Sequence, residues 1–167
     1  MRAPQSQRSS TRLPIVAKSR FRPRYRALAV SALGIGGALA GLSIAVLGAP
    51  LVLLASGAAG VVLGAGYLLS PTWKLEVIVD ADGYEVRSPK ATKFRVPWSE
   101  VKRVIASPST NSCFIDTGAA EHNLLVPGVG APAPYDLDDK AALVAAILEH
   151  VSPDKVRTVE SLADARS

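Results

Sequence analysis

The most informative absence in this sequence is that of charged residues from one long segment: no Asp, Glu, Lys or Arg occurs between Ala27 and Trp73. The core of that run, residues 27–70, is 44 residues long. One membrane-spanning helix needs about 20 apolar residues, so the run is too long for one span and long enough for two. We therefore predict a transmembrane hairpin.

Gly48-Ala49-Pro50 marks the break between the two predicted helices. Proline removes a backbone donor and restricts the residue before it, so helices tend to end there. The predicted helices are residues 27–47 and 51–70. A buried hairpin of a water-soluble protein is the alternative, but such helices normally carry a polar stripe. The only polar side chains here before the last residue of the run are Ser31, Ser43, Ser56 and Tyr67.

Acidic residues are absent from residues 1–26, which contain eight of the 19 basic residues of the chain. Lys and Arg next to a span are retained on the cytoplasmic side. We therefore expect a disordered basic tail and a cytoplasmic N-terminus, and an even number of spans makes residues 71–167 cytoplasmic as well. The predicted topology determinants are Lys18, Arg20, Arg22, Arg24 and Arg26. The predicted topology is therefore multi-pass.

Other interpretations of the tail fit less well. A cleaved signal peptide has a shorter apolar region, of roughly 7–15 residues. A mitochondrial transit peptide shares the Arg-rich composition, but Pro4, Pro14 and Pro23 would interrupt its amphipathic helix. A nucleic-acid-binding arm would be expected to carry more aromatic stacking partners than Phe21 and Tyr25, and we expect no nucleic-acid partner.

Cysteine and histidine are scarce, which argues against catalysis and against a metal centre. Cys113 is the one cysteine, and the histidines are His122 and His150. Cys113 and His122 lie in strands that can be neighbours, but no third group is evident to orient the pair. Gly128-Val129-Gly130 lacks the spacing and context of a phosphate-binding loop. We predict a protein that is not an enzyme and has no cofactor or metal.

Alternating apolar residues after the apolar run predict a β-rich domain over residues 72–152. The first strand, residues 73–80, is followed by Asp82-Gly83, a strong hairpin signal that also explains Asp80 and Asp82 without a cation site. Six short strands with turns at regular spacing indicate an antiparallel sandwich or barrel. The predicted strands are residues 73–80, 84–88, 93–98, 101–107, 112–116 and 123–126.

An apolar stripe at helical spacing predicts one helix, residues 137–151, after a loop at 127–134. Asp136 is the predicted N-cap, and Pro153 ends the helix. Residues 153–167 are predicted to be a polar tail, poorly ordered from 154. The predicted fold class is therefore a membrane-anchored α+β protein, with a two-helix hairpin followed by a small β-domain that one C-terminal helix closes.

Short antiparallel strands closed by one amphipathic helix resemble the pleckstrin-homology (PH) fold. The resemblance lies in the hairpin at residues 75–86 and in Arg95-Val96-Pro97-Trp98-Ser99-Glu100-Val101-Lys102-Arg103-Val104. Bacterial PH-like domains attached to membrane hairpins look similar over about 80 residues, residues 73–151. The resemblance implies a membrane-associated or adaptor domain and supplies no catalytic residues. Together with the predicted hairpin, it implies a location in the inner membrane of a bacterial cell.

Lys90, Lys93 and Arg95 form the candidate binding patch, because PH domains often hold lipid headgroups with basic residues between their first strands. The alternative is a solvated outer face that alternates with core residues. The leading functional prediction is a non-enzymatic adaptor with another membrane or cytoplasmic protein as partner. A module that binds lipid headgroups or the membrane surface is the alternative, and an enzyme acting on a membrane-associated substrate is a weaker one. Glycines four apart let helices approach closely, so the two helices are predicted to pack on each other. Homo-oligomerisation through Gly37 and Gly41 or through Gly60 and Gly64 is the alternative.

Overall fold

Two long apolar helices precede two β-sheets and a C-terminal helix in this computed structural model, which describes residues 14–46, 50–129 and 131–162. Helix α1 is Arg26–Ala45 and helix α2 is Leu51–Leu68. A 3-10 helix, Pro71–Lys74, follows α2. The α+β arrangement predicted from the sequence is confirmed.

Both helices are long and apolar enough to cross a membrane, the first over Arg26–Ala45 and the second, with the 3-10 helix, over Leu51–Lys74. Twenty helical residues extend about 30 Å, which matches the hydrocarbon thickness of a bilayer. Most of their large apolar side chains are exposed, including Leu28, Ile44 and Leu63. The predicted break is confirmed at Pro50, which is the N-cap of α2, while residues 47–49 lie outside the described residues.

Glycine allows the two helices to pack with their backbones almost in contact. A Cβ atom on Gly36 would lie 2.7 Å from the carbonyl oxygen of Gly57, and one on Gly64 would lie 2.7 Å from that of Ala29. Gly60 also faces α1, with the Ala32 carbonyl oxygen 3.1 Å from its ideal Cβ position. The Gly60 and Gly64 face therefore joins the two helices to each other.

The first sheet has five strands, and all its pairings are antiparallel. The strands are β1 Ile15–Pro23, β2 Glu76–Asp80, β3 Gly83–Arg87, β4 Thr92–Pro97 and β8 Tyr135–Leu137. Their order across the sheet is β4-β3-β2-β1-β8. Since β1 precedes α1 and β2 follows α2, the helical hairpin is an insertion between two neighbouring strands.

The second sheet has four strands, which are β5 Arg103–Ser107, β6 Ser112–Asp116, β7 Leu124–Val126 and β9 Val156–Thr158. Their order is β7-β6-β5-β9. Strand β9 runs parallel to β5, and the other two pairings are antiparallel. Helix α3, Lys140–His150, buries Leu143, Val144 and Ile147. The core between the sheets and α3 includes Val77, Tyr84, Val104, Ile115 and Leu137.

Three predictions of local structure are wrong. Residues 15–23 form the inner strand β1 rather than part of a disordered tail, because Ser19 and Phe21 are buried in the domain. Residues 156–158 form β9 rather than part of a poorly ordered tail. Residues 1–13 and 163–167 of the two predicted tails lie outside the described residues.

The third error is the start of the last helix. Asp136 lies in β8, paired with Arg22, and does not cap α3. Asp139 occupies the N-cap position in a left-handed conformation, without a side-chain capping hydrogen bond. The strand pairing with β1 outweighs the local helix signal, and a pairing between residues so distant in sequence leaves no local pattern.

Strand directions divide the β-domain into two ends. The helix-proximal end comprises the turns at residues 88–91 and 108–111 and the 127–134 loop, of which all residues except Gly130 are described. The distal end comprises the turn at 81–82 and the connections at 98–102 and 117–123. Glu76, which follows the 3-10 helix closely, pairs with Arg87, and this pairing places the 88–91 turn beside the helices.

Candidate functional site

A cleft of about 590 Å³ opens at the helix-proximal end of the first sheet. Arg20, Glu76 and Arg87 lie side by side on β1, β2 and β3, because the strand register pairs Arg20 with Glu76 and Glu76 with Arg87. The turn from β3 to β4 completes the wall. The residues that line the cleft are Arg20, Glu76, Arg87, Ser88, Pro89, Lys90, Ala91 and Thr92.

Glu76 forms ion pairs with Arg20 and Arg87 of the cleft and with Lys18, which lies outside the lining. Its carboxylate lies 3.1 Å from the Lys18 Nζ atom, 2.8 Å from the Arg20 Nε atom and 3.5 Å from the Arg87 Nε atom. Burial alone would raise the pKa of Glu76, but the hydrogen bonds and charges of Lys18 and Arg20 outweigh burial and lower it. In the lining, the three basic residues Arg20, Arg87 and Lys90 outnumber Glu76, and Glu85, 3.7 Å from the Arg87 guanidinium group, offsets part of their charge. The remaining positive excess suits the cleft to an anionic group.

The three residues of the predicted patch are all exposed but have different surroundings. Lys90 is exposed and lines the cleft, whereas Lys93 is exposed on β4 outside the lining. Arg95 lies further along β4 and donates two hydrogen bonds to Asp80, at 2.7 and 3.0 Å. Its guanidinium group is therefore engaged in holding the distal turn.

The basic residues before α1 have structural partners as well as favourable positions for topology. Lys18 and Arg20 bind Glu76, and Arg22 forms an ion pair with Asp138. The Arg24 guanidinium group donates to the carbonyl oxygen of Ala131 at 2.7 Å. The charges that predict the orientation of the hairpin also attach it to the domain.

Tyr67, in the last turn of α2, connects both helices to the β-domain. Its hydroxyl group donates to the carbonyl oxygen of Pro134 at 2.6 Å and accepts from the Tyr25 backbone N–H at 2.9 Å. The Trp73 indole N–H donates to the Tyr67 carbonyl oxygen at 2.5 Å. These bonds fix the level of the 127–134 loop relative to the helices.

Cys113 and His122 are not arranged as a catalytic pair. The Cys113 side chain is fully buried, and burial raises the pKa of its thiol to about 12. His122 lies in a 3-10 helix, Ala120–His122, and not in a strand as predicted, and its ring packs against Phe94 with 5.2 Å between ring centroids. A protonated and enclosed thiol is a poor nucleophile. Among the described residues, no group of three His, Cys, Asp or Glu side chains is placed to hold a metal ion.

Sequence reasoning misses Glu76, Arg87 and Tyr67 as parts of this site. In the sequence, Glu76 fits the polar face of a strand and has no evident partner. Only the register of its strand with β1 and β3 brings the basic side chains of Lys18, Arg20 and Arg87 to it. Of these three residues, only Tyr67 could have been noticed in the sequence, because it is a polar aromatic residue at the end of an apolar helix, a position typical of a membrane interface.

Comparison with protein-family models, curated proteins and solved structures gives no match to this chain.

Proposed function

We propose that this chain is a non-enzymatic, membrane-anchored PH-like module whose helix-proximal end rests on anionic lipid headgroups. The observation that carries the proposal is the position of the cleft. Arg20, Arg87 and Lys90 lie at the end of the domain from which α1 and α2 leave. If these helices span the bilayer, the cleft faces the headgroup layer.

The charge around the helices supports contact with an anionic surface. Arg24 and Arg26 stand at the start of α1, and Lys74 lies in the 3-10 helix after α2. Each basic residue near an anionic membrane surface contributes about 1 kcal/mol of attraction. Lys90 extends this positive region across the turn between β3 and β4.

The same charges support an orientation with the β-domain in the cytoplasm of a bacterial cell. Basic residues flank both helices on the side of the β-domain, and such residues remain cytoplasmic during insertion. Antiparallel pairing of β1 with β2 requires the chain before α1 and the chain after α2 to lie on the same side. The proposed protein is thus a two-span protein of the inner membrane.

The PH-like assignment rests on the order of the elements. Strands β2–β7 are joined by short turns, and α3 follows after the three-residue strand β8 and packs its apolar side chains into the core. Trp98, in the element that carries the resemblance, donates its indole N–H to the Asp80 carbonyl oxygen at 3.1 Å. That contact ties this element to the first hairpin, which carries the other part of the resemblance.

Amide hydrogen exchange of the full chain in lipid nanodiscs tests the headgroup contact. We expect slower exchange of residues 88–91 in phosphatidylglycerol than in phosphatidylcholine, and a smaller difference at high salt, which screens surface charge. Lys90→Glu should abolish the difference. Lys102→Glu is the matched control, since it makes the same charge change at the distal end.

Two outcomes would count against the headgroup contact. One is equal exchange of residues 88–91 in the two lipids. The other is an equal effect of Lys90→Glu and Lys102→Glu, which would indicate a general response to net charge. Arg95 is left unchanged in this design because its replacement would break the bonds to Asp80.

A protein partner is the second candidate, and the position of β4 favours it. Strand β4 is an edge of the five-stranded sheet, with Thr92 and Lys93 exposed. An open edge can accept a strand from another chain. A photo-crosslinking residue at Lys93 should then give a reproducible product in membranes that the same residue at Lys102 does not give. Identical products from both positions would remove the reason for choosing this edge.

A further inference from the structure

Val129 is a large apolar residue of the β-domain that is exposed at the surface and not packed in the core. Its side chain is 88% exposed, the highest value among the exposed large hydrophobic residues of the described chain. All the others except Ile15 and Val16 lie between Tyr25 and Leu69, on or beside the two apolar helices. One exposed apolar side chain is common on a soluble surface. Val129 differs in its position beside the two apolar helices, where a lipid interface would cover it and stabilise its burial.

The loop that carries Val129 lies beside the start of α1 and the end of α2, to which hydrogen bonds attach it. The Pro134 carbonyl oxygen accepts from the Tyr67 hydroxyl group at 2.6 Å and from the Arg24 backbone N–H at 3.3 Å. The Arg24 guanidinium group reaches the Gly128 carbonyl oxygen at 3.5 Å, next to Val129. These bonds place the loop beside the last turn of α2.

The composition of the 127–134 loop also suits a lipid interface. Residues 127–134 contain no charged residue, and Pro132 is exposed alongside Val129. Its prolines lack backbone N–H groups, and the bonds to Arg24 and Tyr67 satisfy some of its carbonyl oxygens, which lowers the cost of leaving water. Tyr25 and Trp73 lie nearby, and such aromatic residues prefer membrane interfaces.

We propose that Val129 and Pro132 insert into the interfacial layer of the bilayer and form a third membrane contact beside the two helices. This inference rests on the proposed membrane anchoring. The contact would fix the tilt of the β-domain, because the hairpin alone leaves the domain attached along one side. The basic cleft and the apolar loop would then meet the same leaflet.

Depth-dependent fluorescence quenching tests this insertion in the full chain reconstituted into vesicles. Val129→Cys carries an environment-sensitive dye, and Cys113 does not compete for labelling because it is fully buried. Ile35→Cys, on the exposed surface of α1, is the reference for the membrane interior, and Glu121→Cys, at the distal end, is the reference for water. We expect blue-shifted emission at position 129 and quenching by a nitroxide near the lipid headgroup.

The outcomes separate failure of this inference from failure of the anchor. If position 35 is quenched by lipid nitroxides and position 129 emits as position 121 does, the helices insert and the loop does not. If position 129 is blue-shifted but not quenched by lipid, it contacts protein and the inference is wrong. If position 35 is not quenched, the membrane anchoring itself is wrong.

Discussion

Asp80 connects the distal turn to strand β4 through one carboxylate. Its Oδ1 atom accepts from the backbone N–H groups of Asp82 and Gly83, both at 3.0 Å, and Arg95 donates to both of its oxygens. The sequence predicts the turn from Asp82-Gly83. It does not predict the bond to Arg95, because that contact depends on the alignment of three strands.

Replacing Asp80 with Ala should destabilise the domain by about 1–3 kcal/mol, since buried donors of the turn lose their acceptor. Asp82→Ala, two residues away and exposed, should change the free energy of unfolding by less than about 0.5 kcal/mol. Chemical denaturation of the full chain in detergent, followed by tryptophan fluorescence, measures both. Equal effects of the two substitutions would contradict the assigned role of Asp80.

Burial of Cys113 should make stability fall at alkaline pH. The ordinary pKa of a cysteine thiol is 9.0, and burial raises the pKa of Cys113 to about 12 in the folded protein. Between these values the unfolded chain ionises while the folded thiol stays protonated, so the free energy of unfolding decreases as pH rises. The contribution of the protonated Cys113 thiol to the stability of the fold is fully present below pH 9 and is lost as pH rises towards 12.

Cys113→Ala isolates this contribution from those of other groups, including Tyr84, whose pKa burial also raises. We expect the difference in unfolding free energy between the native chain and the variant to shrink as pH rises through that window. A difference that stays constant across the window would show that the thiol ionises equally in both states.

At the scale of elements, β1 is part of the β-domain although 52 residues separate its last residue from the first of β2. It pairs with β2 over residues 15–20 and with β8 over residues 21–23. A fragment that starts at residue 72 therefore lacks an inner strand of the first sheet and leaves the edge of β2 open. Sequence pattern alone does not reveal this, because β1 reads as a basic tail.

We expect fragment 72–162 to lack cooperative unfolding. A chain in which a short flexible linker joins residues 14–24 to residues 74–162 should regain cooperative unfolding. The joined ends are close, because the Phe21 backbone N–H donates to the Leu75 carbonyl oxygen at 3.1 Å. Thermal unfolding followed by circular dichroism distinguishes the two. Cooperative unfolding of the shorter fragment would show that β1 is dispensable.

The glycines of α1 and α2 have two different environments. A Cβ atom on Gly57 would lie 2.6 Å from the Ala40 backbone nitrogen, so Gly57→Val should weaken hairpin packing by about 1–3 kcal/mol. Gly41 has no atom of the described residues within 4 Å of its ideal Cβ position, and Gly41→Val is the matched control. The unfolding temperature in mild detergent should fall for the first variant alone.

The Gly37 and Gly41 face stays available for the predicted homo-oligomer, since both glycines point away from α2. If the chain self-associates through this face, Gly41→Val should lower the oligomer fraction in detergent cross-linking without changing the unfolding temperature. An unchanged oligomer fraction would exclude this face as the interface.

At the scale of the whole molecule, the pairing of β1 with β2 links the topology of the hairpin to folding of the domain. We expect Lys93→Cys to react with a membrane-impermeant thiol reagent in inverted vesicles and not in intact cells. Cys113 provides the internal control, because it should react only after denaturation. Labelling of position 93 in intact cells would place the domain outside and contradict the proposed orientation.

The sequence by itself determined the two long helices, their break at Pro50, most strands of the β-domain and its closing helix. Each of these depends on local chemistry: a run of uncharged residues, a missing backbone donor, or a period of two. Tertiary structure alone decided that β1 and β9 join the sheets, that Asp136 pairs with β1, and that Glu76 gathers Lys18, Arg20 and Arg87. These features form between segments far apart in the chain, and only the strand register determines which side chains meet.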